Sequence, residues 1–302
     1  MQEPLLSIAL CTYNGEKYIK EQLGSILNQT YTRIEVIVVD DNSTDNTFDI
    51  ISDYSKNDDR IKCFKNDINL GFNKNFEKAI TLTSGDYIAI SDQDDIWLPN
   101  KLRLLLNHIK DNLLIFSNSA FMGDTDPRML LKDFKLPANY KGILLKNYVT
   151  GHTTLVHRDF LDLVLPFPQK GYYDWWMGFV ASYHHKIVFL DEALTLYRVH
   201  DESVIKIRQD LGQEKLEEYE TVGIMLNAFA GYKNLKPADQ AFITQLQNGF
   251  QLKGSQVISF PLMKMVYNYY RELFPNLKWR GSLSKFFFAR KFARGVRINK
   301  LD

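Results

Sequence analysis

Residues 85–99 read GDYIAISDQDDIWLP, and the fold follows from this stretch. Its residues 87–90 form a short, nearly uncharged run of the kind seen in buried parallel strands. The run is followed at once by three carboxylates, those of Asp92, Asp94 and Asp95. Carboxylates this close repel one another unless a cation lies between them, and a divalent ion is the simplest such cation. An acidic turn that begins the next helix is the alternative, and this stretch alone leaves both open.

The composition is typical of a folded protein with a large core. The chain has 302 residues, of which 45% are hydrophobic and 13% aromatic, so we expect one large domain with an appendage or two modest domains. The net charge of +1 gives no overall field that would favour nucleic acid as a partner. Cys11 and Cys63 lie in apolar contexts without metal-ligand spacing, which predicts free thiols in a reducing compartment.

The N-terminal sequence lacks the pattern of a signal peptide. No window approaches the roughly 20 apolar residues that a membrane-spanning helix needs. We therefore expect a cytoplasmic protein.

Strand and helix patterns alternate over the first ninety or so residues. Buried-strand patterns at residues 5–10, 34–39 and 61–65 precede the strand at residues 87–90, and helical patterns lie between them. This alternation predicts βαβ units and a parallel sheet, in which right-handed crossovers place the strand C-terminal ends at one edge. Ligands of open α/β sheets bind at that edge.

Polar clusters follow three of these predicted strands. They are residues 12–14 (TYN), 40–43 (DDNS) and 92–95 (DQDD). Neither a dinucleotide-binding GxGxxG motif nor a P-loop occurs at these turns, so a metal ion would have to balance the charge of a bound phosphate. The convergence of three clusters at one edge therefore favours a metal and phosphate site over an acidic turn.

The chain changes character after its first two-thirds. Two strands are predicted at residues 186–190 and 193–197, around a turn at residues 191–192, and helical periodicity begins near residue 205. We predict a catalytic α/β domain over residues 1–204 and a helical C-terminal extension over residues 205–302.

The end of the extension combines aromatic residues with clustered cations, at residues 278–280 and 285–294. This composition is typical of a helix that lies on an anionic membrane surface. A terminal helix that packs its Phe face on the body of the protein is the alternative. Nucleic acid is disfavoured, because one short basic segment without a recognised motif is weak support.

Three segments, in this order, resemble glycosyltransferase family 2. Residues 6–15 (LSIALCTYNG) are similar to the first strand and turn of that family, and residues 38–45 (VVDDNSTD) to its second strand end. Residues 91–97 (SDQDDIW) resemble the metal-binding D-x-D strand end of the GT-A fold. The resemblance implies a mostly parallel nucleotide-binding sheet flanked by helices. It also implies metal-assisted, inverting sugar transfer from a nucleotide sugar, with Mg2+ or Mn2+ as cofactor.

The resemblance implies how a nucleotide sugar is bound. Asp41 would accept the N3–H of a uracil or thymine ring, and capping of the next helix is the alternative. Tyr13 would lie against that ring. The other residues implied on the donor side are Thr12, Asn14, Glu16, Asp92, Gln93 and Arg198.

Further residues are implied for the metal and the diphosphate. Asp94 would contact the metal directly, and Asp92 would hold the ribose or a metal-bound water. Arg198 would pair with phosphate. His200 would complete the metal shell, while the role of Asp95, ligand or cap, stays open.

Inverting transfer needs one general base, which deprotonates the acceptor hydroxyl as it attacks the anomeric carbon. The position that matches the catalytic carboxylate of the family is Asp174, with a helix N-cap as the alternative. Trp175 and Trp176 would offer flat surfaces to sugar rings. His152 lies in a segment that resembles the acceptor-side strand, and whether it contacts substrate is left open.

The motifs DQDDIW, YYDWW and YRxH are similar to those of bacterial rhamnosyltransferase-like members of cell-surface polysaccharide pathways. This likeness implies dTDP-rhamnose as a candidate donor and a glycan or lipid-linked saccharide as acceptor. A sugar nucleotidyltransferase is disfavoured, because residues 12–16 contain no glycine-rich basic segment. A catalytically inactive carbohydrate-binding protein of the same fold is disfavoured by the intact carboxylates of Asp92, Asp94 and Asp174.

Overall fold

The computed structural model describes residues 3–123, 129–199, 211–255 and 258–295. The chain divides into two compact units. The first comprises Met1–Asp133, Tyr148–Gln169 and Val180–Lys206, and the second comprises Phe134–Asn147, Lys170–Phe179 and Ile207–Asp302. The division into domains at residue 205 stays a prediction.

The first unit contains an eight-stranded sheet in the order β3-β2-β1-β4-β7-β6-β8-β5. Its strands are β1 (Leu6–Thr12), β2 (Ile34–Asp40), β3 (Ile61–Lys65), β4 (Tyr87–Ser91), β5 (Ile96–Trp97), β6 (Leu114–Phe121), β7 (Thr154–His157) and β8 (Ile187–Tyr197). Strands β3, β2, β1 and β4 are parallel neighbours, and β6 pairs in parallel with β8. Strand β7 runs antiparallel between β4 and β6, and β5 runs antiparallel to β8. The predicted α/β fold with a mostly parallel sheet is confirmed.

The register of the parallel strands brings their C-terminal ends together. Thr12 is paired with Asp40 across β1 and β2, and Leu10 is paired with Ser91 across β1 and β4. All seven residues of β1 are buried, as expected for a central strand covered on both faces. The polar turns that follow β1, β2 and β4 therefore begin at one edge of the sheet.

The first unit contains the helices α1 (Ile19–Leu27), α2 (Thr47–Asn57), α3 (Phe72–Thr81), α4 (Lys101–Ile109) and α5 (Leu161–Val164). Apolar positions of α1 and α4, including Leu23 and Leu105, pack with Ile8 and Val36 of the sheet in one core cluster. Each is fully buried, so truncation of Leu23, Leu105 or Ile8 to Ala would cost about 2–5 kcal/mol of stability.

The two strands predicted at residues 186–190 and 193–197 are one continuous strand, β8. The charged pair Asp191 and Glu192 suggested a turn, but it lies in a bulge where the register with β6 shifts. Both residues are exposed, and the side-chain amide of Asn118 donates a hydrogen bond to Asp191 Oδ1 (3.0 Å). The bulge absorbs the polar residues without ending the strand.

The second unit is helical. It contains α7 (Leu211–Ala230), α8 (Pro237–Ser255), α9 (Phe260–Asn268), α10 (Tyr270–Leu273) and α11 (Ser282–Phe292), and the unit boundary falls within α6 (Tyr173–Tyr183). The predicted helical C-terminal part is confirmed. In the described residues, we find no helix with the length and apolar character required to span a bilayer.

Aromatic rings form the core of the second unit. The ring of Phe179 stacks on Phe229 with a centroid distance of 4.3 Å, and Trp176 lies parallel to the same ring at 6.3 Å. Trp175 packs edge-on against Phe229 and donates from Nε1 to the carbonyl of Ile143 (2.7 Å). The prediction that Trp175 and Trp176 offer flat surfaces to sugars is wrong, because both are buried in this core.

Candidate active site

A buried carboxylate joins the ends of β1 and β2. Asp40 Oδ2 accepts hydrogen bonds from the hydroxyls of Thr12 (2.9 Å) and Ser43 (2.5 Å), and its Oδ1 accepts from the backbone N–H of Ser43 (2.9 Å). Thr12, predicted to line the donor pocket, thus uses its hydroxyl to hold the neighbouring turn. This role of Asp40 was not predicted from sequence. The pattern that indicates it is the pair of neighbouring parallel strands, one ending in Thr12 and the other in Asp40, which places the two side chains next to each other.

The turn after β1 is bonded to the turn after β2. Asn14 has a φ of +48°, a conformation that Asn tolerates better than most residues, and its backbone N–H donates to Ser43 Oγ (2.9 Å). Its Oδ1 accepts from the backbone N–H of Thr44 (2.9 Å). Glu16 Oε2 accepts from the backbone and side-chain amides of Asn46 (3.0 and 2.8 Å). Asn14 and Glu16 therefore fix the shape of this edge.

Asp41 is buried and its carboxylate is held by three donors. Oδ1 accepts from Asn66 Nδ2 (2.7 Å) and from the backbone N–H of Leu70 (2.8 Å), and Oδ2 accepts from the backbone N–H of Gly71 (2.9 Å). None of these donors belongs to α2, so the alternative that Asp41 caps the next helix is wrong. A carboxylate has about four acceptor positions, which leaves one for a further N–H.

Gln93 joins the end of β4 to the end of β1. Its Oε1 accepts from the backbone N–H of Tyr13 (2.8 Å), and its Nε2 donates to the carbonyl of the same residue (2.9 Å). The Tyr13 side chain is left 48% exposed next to this pair. Gln93 thus holds the residue predicted to face the nucleotide base.

Arg198, which follows β8, is bonded to the acidic turn. Its Nε donates to the carbonyl of Asp94 (2.9 Å) and its backbone N–H donates to Asp95 Oδ1 (3.3 Å). The guanidinium also pairs with Glu21 and lies over the ring of Tyr18. Arg198 therefore fixes the turn after β4, and its contact with phosphate stays a prediction.

Two carboxylates of the acidic turn meet the ring of His152. His152 Nδ1 lies 3.7 Å from Asp92 Oδ2 and 3.8 Å from Asp95 Oδ2, and the three groups can offer ligand atoms within 4.8 Å of one another. His152 and Asp95 are buried, whereas the side chain of Asp92 is 38% exposed. In the part of the chain that the structure describes, Asp94 is not a member of this group. His200 lies outside the described residues.

The pKa values of Asp95 and His152 are both shifted upward in this group. Burial, with Asp92 and Asp94 nearby, raises the pKa of the Asp95 carboxyl to about 7, although His152 opposes the shift. Burial lowers the pKa of His152, but the carboxylates of Asp95 and Asp92 outweigh it, so the net shift is upward. Each group thus favours a proton, which a divalent cation would replace.

Lys101, the first residue of α4, contacts the backbone of His152 in the group formed by His152, Asp92 and Asp95. Its Nζ donates to the carbonyl of His152 (2.5 Å) and to Thr195 Oγ1 (2.9 Å) and lies 3.7 Å from the centroid of the Trp97 ring. Burial lowers the pKa of Lys101 well below its usual value, against the opposing effect of Asp95 and Asp92. Lys101 thus supports the backbone of His152.

Asp174 belongs to the second unit, where it is the second residue of α6. Its Oδ1 accepts from Asn147 Nδ2 (3.1 Å) and from the backbone N–H of Trp175 (2.6 Å). A carboxylate in the first turn of a helix is stabilised by the helix dipole. The role of Asp174 as general base stays a prediction.

Comparison with known proteins gives consistent matches. The family model described as Glycosyl transferase family 2 matches residues 7–163. An uncharacterized glycosyltransferase of Methanocaldococcus jannaschii is 33% identical over 238 residues, which cover 74% of this chain and 79% of the relative. A UDP-Glc:alpha-D-GlcNAc-diphosphoundecaprenol beta-1,3-glucosyltransferase of Escherichia coli is 32% identical over 203 residues, or 66% of this chain and 79% of the relative.

A solved structure has a similar fold. The crystal structure of S. aureus TarS 1-349 in complex with UDP-GlcNAc superposes with a TM-score of 0.61 at 20% identity, covering 95% of this chain and 82% of that one. The predicted GT-A fold is thereby confirmed.

Proposed function

Because this chain belongs to glycosyltransferase family 2, we propose that it transfers a sugar from a UDP- or dTDP-sugar to a hydroxyl of a glycan or lipid-linked saccharide. The name of the E. coli relative includes a UDP-sugar donor and a diphosphoundecaprenol-linked acceptor, which supports this choice. Transfer proceeds with inversion at the anomeric carbon, and dTDP-rhamnose is a candidate donor. The product belongs to cell-surface polysaccharide synthesis.

The observation that carries the proposal is the buried carboxylate of Asp41, which follows β2 next to the strand end that leads to the exposed Tyr13. The backbone N–H of Asp41 donates to the carbonyl of Thr12 (2.8 Å), so the two residues lie on adjacent strand ends. Three donors hold the Asp41 carboxylate, and it can only accept further hydrogen bonds while ionised. Uracil and thymine present an N3–H to such an acceptor, whereas the N3 of cytosine is itself an acceptor.

A divalent metal, Mg2+ or Mn2+, fits this edge, because Asp95 Oδ2 is buried and accepts no hydrogen bond from any described residue. On the family resemblance, Asp92 and Asp94 would hold the ion and His200 would complete its shell. When bound, the metal would neutralise the charge of the nucleoside diphosphate. Arg198, fixed against the Asp94 carbonyl, would add a cation to the same diphosphate.

We assign the general base to Asp174. Its carboxylate would accept the proton of the acceptor hydroxyl as that oxygen attacks the anomeric carbon. The hydrogen bonds from Asn147 and from the backbone of Trp175 would hold the carboxylate in one orientation. Such fixed orientation is what proton transfer in an attacking geometry requires.

A lipid-linked acceptor would require access to the inner face of the membrane, and α11 has a surface suited to it. Leu283, Phe286 and Phe287 are exposed there by 72%, 42% and 54%, while Phe288 and Phe292 pack against Phe274. Residues 273–295 contain six Lys or Arg residues and no Asp or Glu. We propose that this apolar and basic face of α11 makes peripheral contact with anionic lipid.

The proposal is tested by incubating the full chain with Mn2+, a synthetic diphosphoundecaprenol-linked sugar and each of several UDP- and dTDP-sugars. We expect one donor to yield an elongated lipid-linked saccharide by mass spectrometry, with an inverted anomeric configuration by NMR. A product of retained configuration would exclude the inverting mechanism. No product from any UDP- or dTDP-sugar, alongside turnover of a GDP-sugar, would overturn the donor assignment.

A further inference from the structure

One oxygen at the candidate site lacks the partner that a buried carboxylate needs. Asp95 is 1% exposed, its Oδ1 accepts from the backbone of Arg198, and its Oδ2 accepts no hydrogen bond within the described residues. His152 Nδ1 lies 3.8 Å from this oxygen, which is beyond hydrogen-bond distance. Leaving a buried acceptor unbonded destabilises the fold, and more so when the group is charged. A cation bound between Asp95 and His152 would give this oxygen a partner.

His152 is oriented so that one ring nitrogen faces that oxygen. Its Nε2 lies 3.3 Å from Ser119 Oγ, and its ring stacks on Tyr197 with a centroid distance of 5.2 Å. If Nε2 carries the proton and donates to Ser119, the lone pair of Nδ1 points towards Asp92 and Asp95. Metal-binding histidines in proteins are fixed in this way, with the second ring nitrogen bonded to a neighbouring acceptor.

From this geometry we infer that His152 Nδ1 and Asp95 Oδ2, together with Asp92, are ligands of the divalent ion. The inference rests on the proposed function only in identifying this ion with the one that binds the nucleotide sugar. His152 lies in the turn that precedes β7 and would be a nitrogen ligand of this ion. The ligands predicted from sequence were carboxylates and His200. Mg2+ takes oxygen ligands and has little affinity for imidazole, so a nitrogen ligand disfavours Mg2+ relative to Mn2+ at this site.

A protonated His152 that acts as the internal counter-ion of the two carboxylates is the competing explanation. An imidazolium between two carboxylates would donate short, charge-assisted hydrogen bonds, typically of about 2.7–2.9 Å. The observed distances of 3.7 and 3.8 Å are too long for such bonds. They are compatible with an ion that lies between His152, Asp92 and Asp95.

The inference is tested by Mn2+ binding to the full chain without nucleotide, followed by pulsed EPR. We expect the bound Mn2+ to show nitrogen modulation from imidazole that persists in His200→Gln. His152→Gln should reduce the modulation, and should abolish it when combined with His200→Gln. His152→Gln should also weaken Mn2+ binding by about tenfold or more, with a smaller effect on Mg2+. Asp95→Asn should weaken the binding of both metals by at least about tenfold.

His157→Gln is the matched control, because His157 forms a second histidine–carboxylate pair, with Asp159 at 3.5 Å, on the exposed end of β7. That variant should retain both the modulation and the affinity. Bound Mn2+ without nitrogen modulation in the wild-type chain would overturn the inference, and this readout does not depend on whether a variant folds. A modulation that persists in His152→Gln but is lost in His200→Gln would also overturn it.

The EPR experiment and the sugar-transfer assay can fail independently of each other. Transfer observed with a Mn2+ ion that lacks a nitrogen ligand would leave the proposed function standing and refute the role of His152. Nitrogen-ligated Mn2+ in a chain that transfers no sugar would support the role of His152 and refute the proposed function.

Discussion

A Cβ atom placed on Gly15 would overlap Oε1 of Gln93, so the turn after β1 and the turn after β4 are in direct contact. The same amide of Gln93 bonds in both directions to the backbone of Tyr13. Two strand ends that are distant in sequence thus form one wall of the candidate site. The shape of this wall depends on Gly15, because any side chain there would displace the Gln93 amide.

We predict that Gly15→Ala displaces Gln93 and breaks its two hydrogen bonds to Tyr13. The loss should destabilise the chain by about 1–3 kcal/mol and weaken donor binding by about tenfold, because the wall against the base is no longer fixed. Gly24→Ala is the matched control, since none of the described atoms lies within 4 Å of its added Cβ and it occupies α1. That change should be neutral or stabilising by up to about 1 kcal/mol. Calorimetric titration with UDP-sugar should separate the two variants, and equal affinities would refute the prediction.

Glu35 on β2 provides a test of stability against pH. Its Oε1 accepts from Ser7 Oγ (2.6 Å) and from the backbone N–H of Ser84 (2.6 Å), and its Oε2 pairs with Lys62 (3.1 Å). Burial raises the pKa of Glu35, but these hydrogen bonds outweigh it and lower the pKa to about 2. Because the folded-state pKa is depressed, the contribution of Glu35 is fully present above its unfolded pKa of about 4.3. It is lost as the pH falls from there towards 2.

We therefore predict that Glu35→Gln lowers the free energy of unfolding by about 3 kcal/mol at pH 7, and that its difference from wild type shrinks below about pH 4. Denaturant unfolding at several pH values measures this. Asp53→Asn serves as control, because Asp53 pairs with Lys56 on the surface and should contribute less than about 1 kcal/mol. A difference for Glu35→Gln that does not change with pH would contradict the assignment.

Asp174→Asn should separate catalysis from binding. As general base, Asp174 should contribute a factor of about 100 to 10,000 to kcat, while donor affinity stays within about twofold of wild type. Asn147→Ala, which removes one hydrogen bond to this carboxylate, should have a smaller effect on kcat. Steady-state kinetics with a parallel donor titration measure both. Donor affinity lost in step with kcat would indicate a structural role for Asp174.

From the exposed apolar and basic face of α11, we predict that the chain sediments together with vesicles that contain anionic lipid. Phe286→Ser combined with Phe287→Ser should reduce the bound fraction several-fold at low salt, because buried apolar area and charge act together at a membrane surface. Arg290→Glu should have a similar effect. Lys264→Glu makes the same charge change at an exposed position of α9 and should alter binding much less. Equal sedimentation of all variants would exclude this face as the contact.

The sheet and its polar edge could be predicted from sequence because they follow from local patterns. Buried runs such as residues 34–39 identify strands, and the topology of βαβ units places their polar ends together. The position of Tyr13, Asp41 and Asp92 at this edge follows from these patterns alone. Their roles in binding a nucleotide sugar stay predictions.

Contacts between distant segments could not be predicted in the same way. His152 meets Asp95 only because β7 runs antiparallel between β4 and β6, a pairing that no local pattern indicates. Trp176 is buried because Phe229 of α7 packs against it, which its own neighbourhood in sequence does not reveal. Periodicity indicates that a residue is apolar or polar, but not which partner covers it.

The central claim is that the edge formed by β1, β2 and β4 binds a uracil- or thymine-nucleotide sugar together with a divalent metal. Calorimetric titration of the full chain with UDP-, dTDP- and CDP-sugars in the presence of Mn2+ tests it most directly. We predict that a UDP- or dTDP-sugar binds at least about tenfold more tightly than the CDP-sugar with the same sugar, because Asp41 accepts the N3–H of uracil or thymine, whereas the N3 of cytosine is an acceptor. Tighter binding of the CDP-sugar would contradict the central claim.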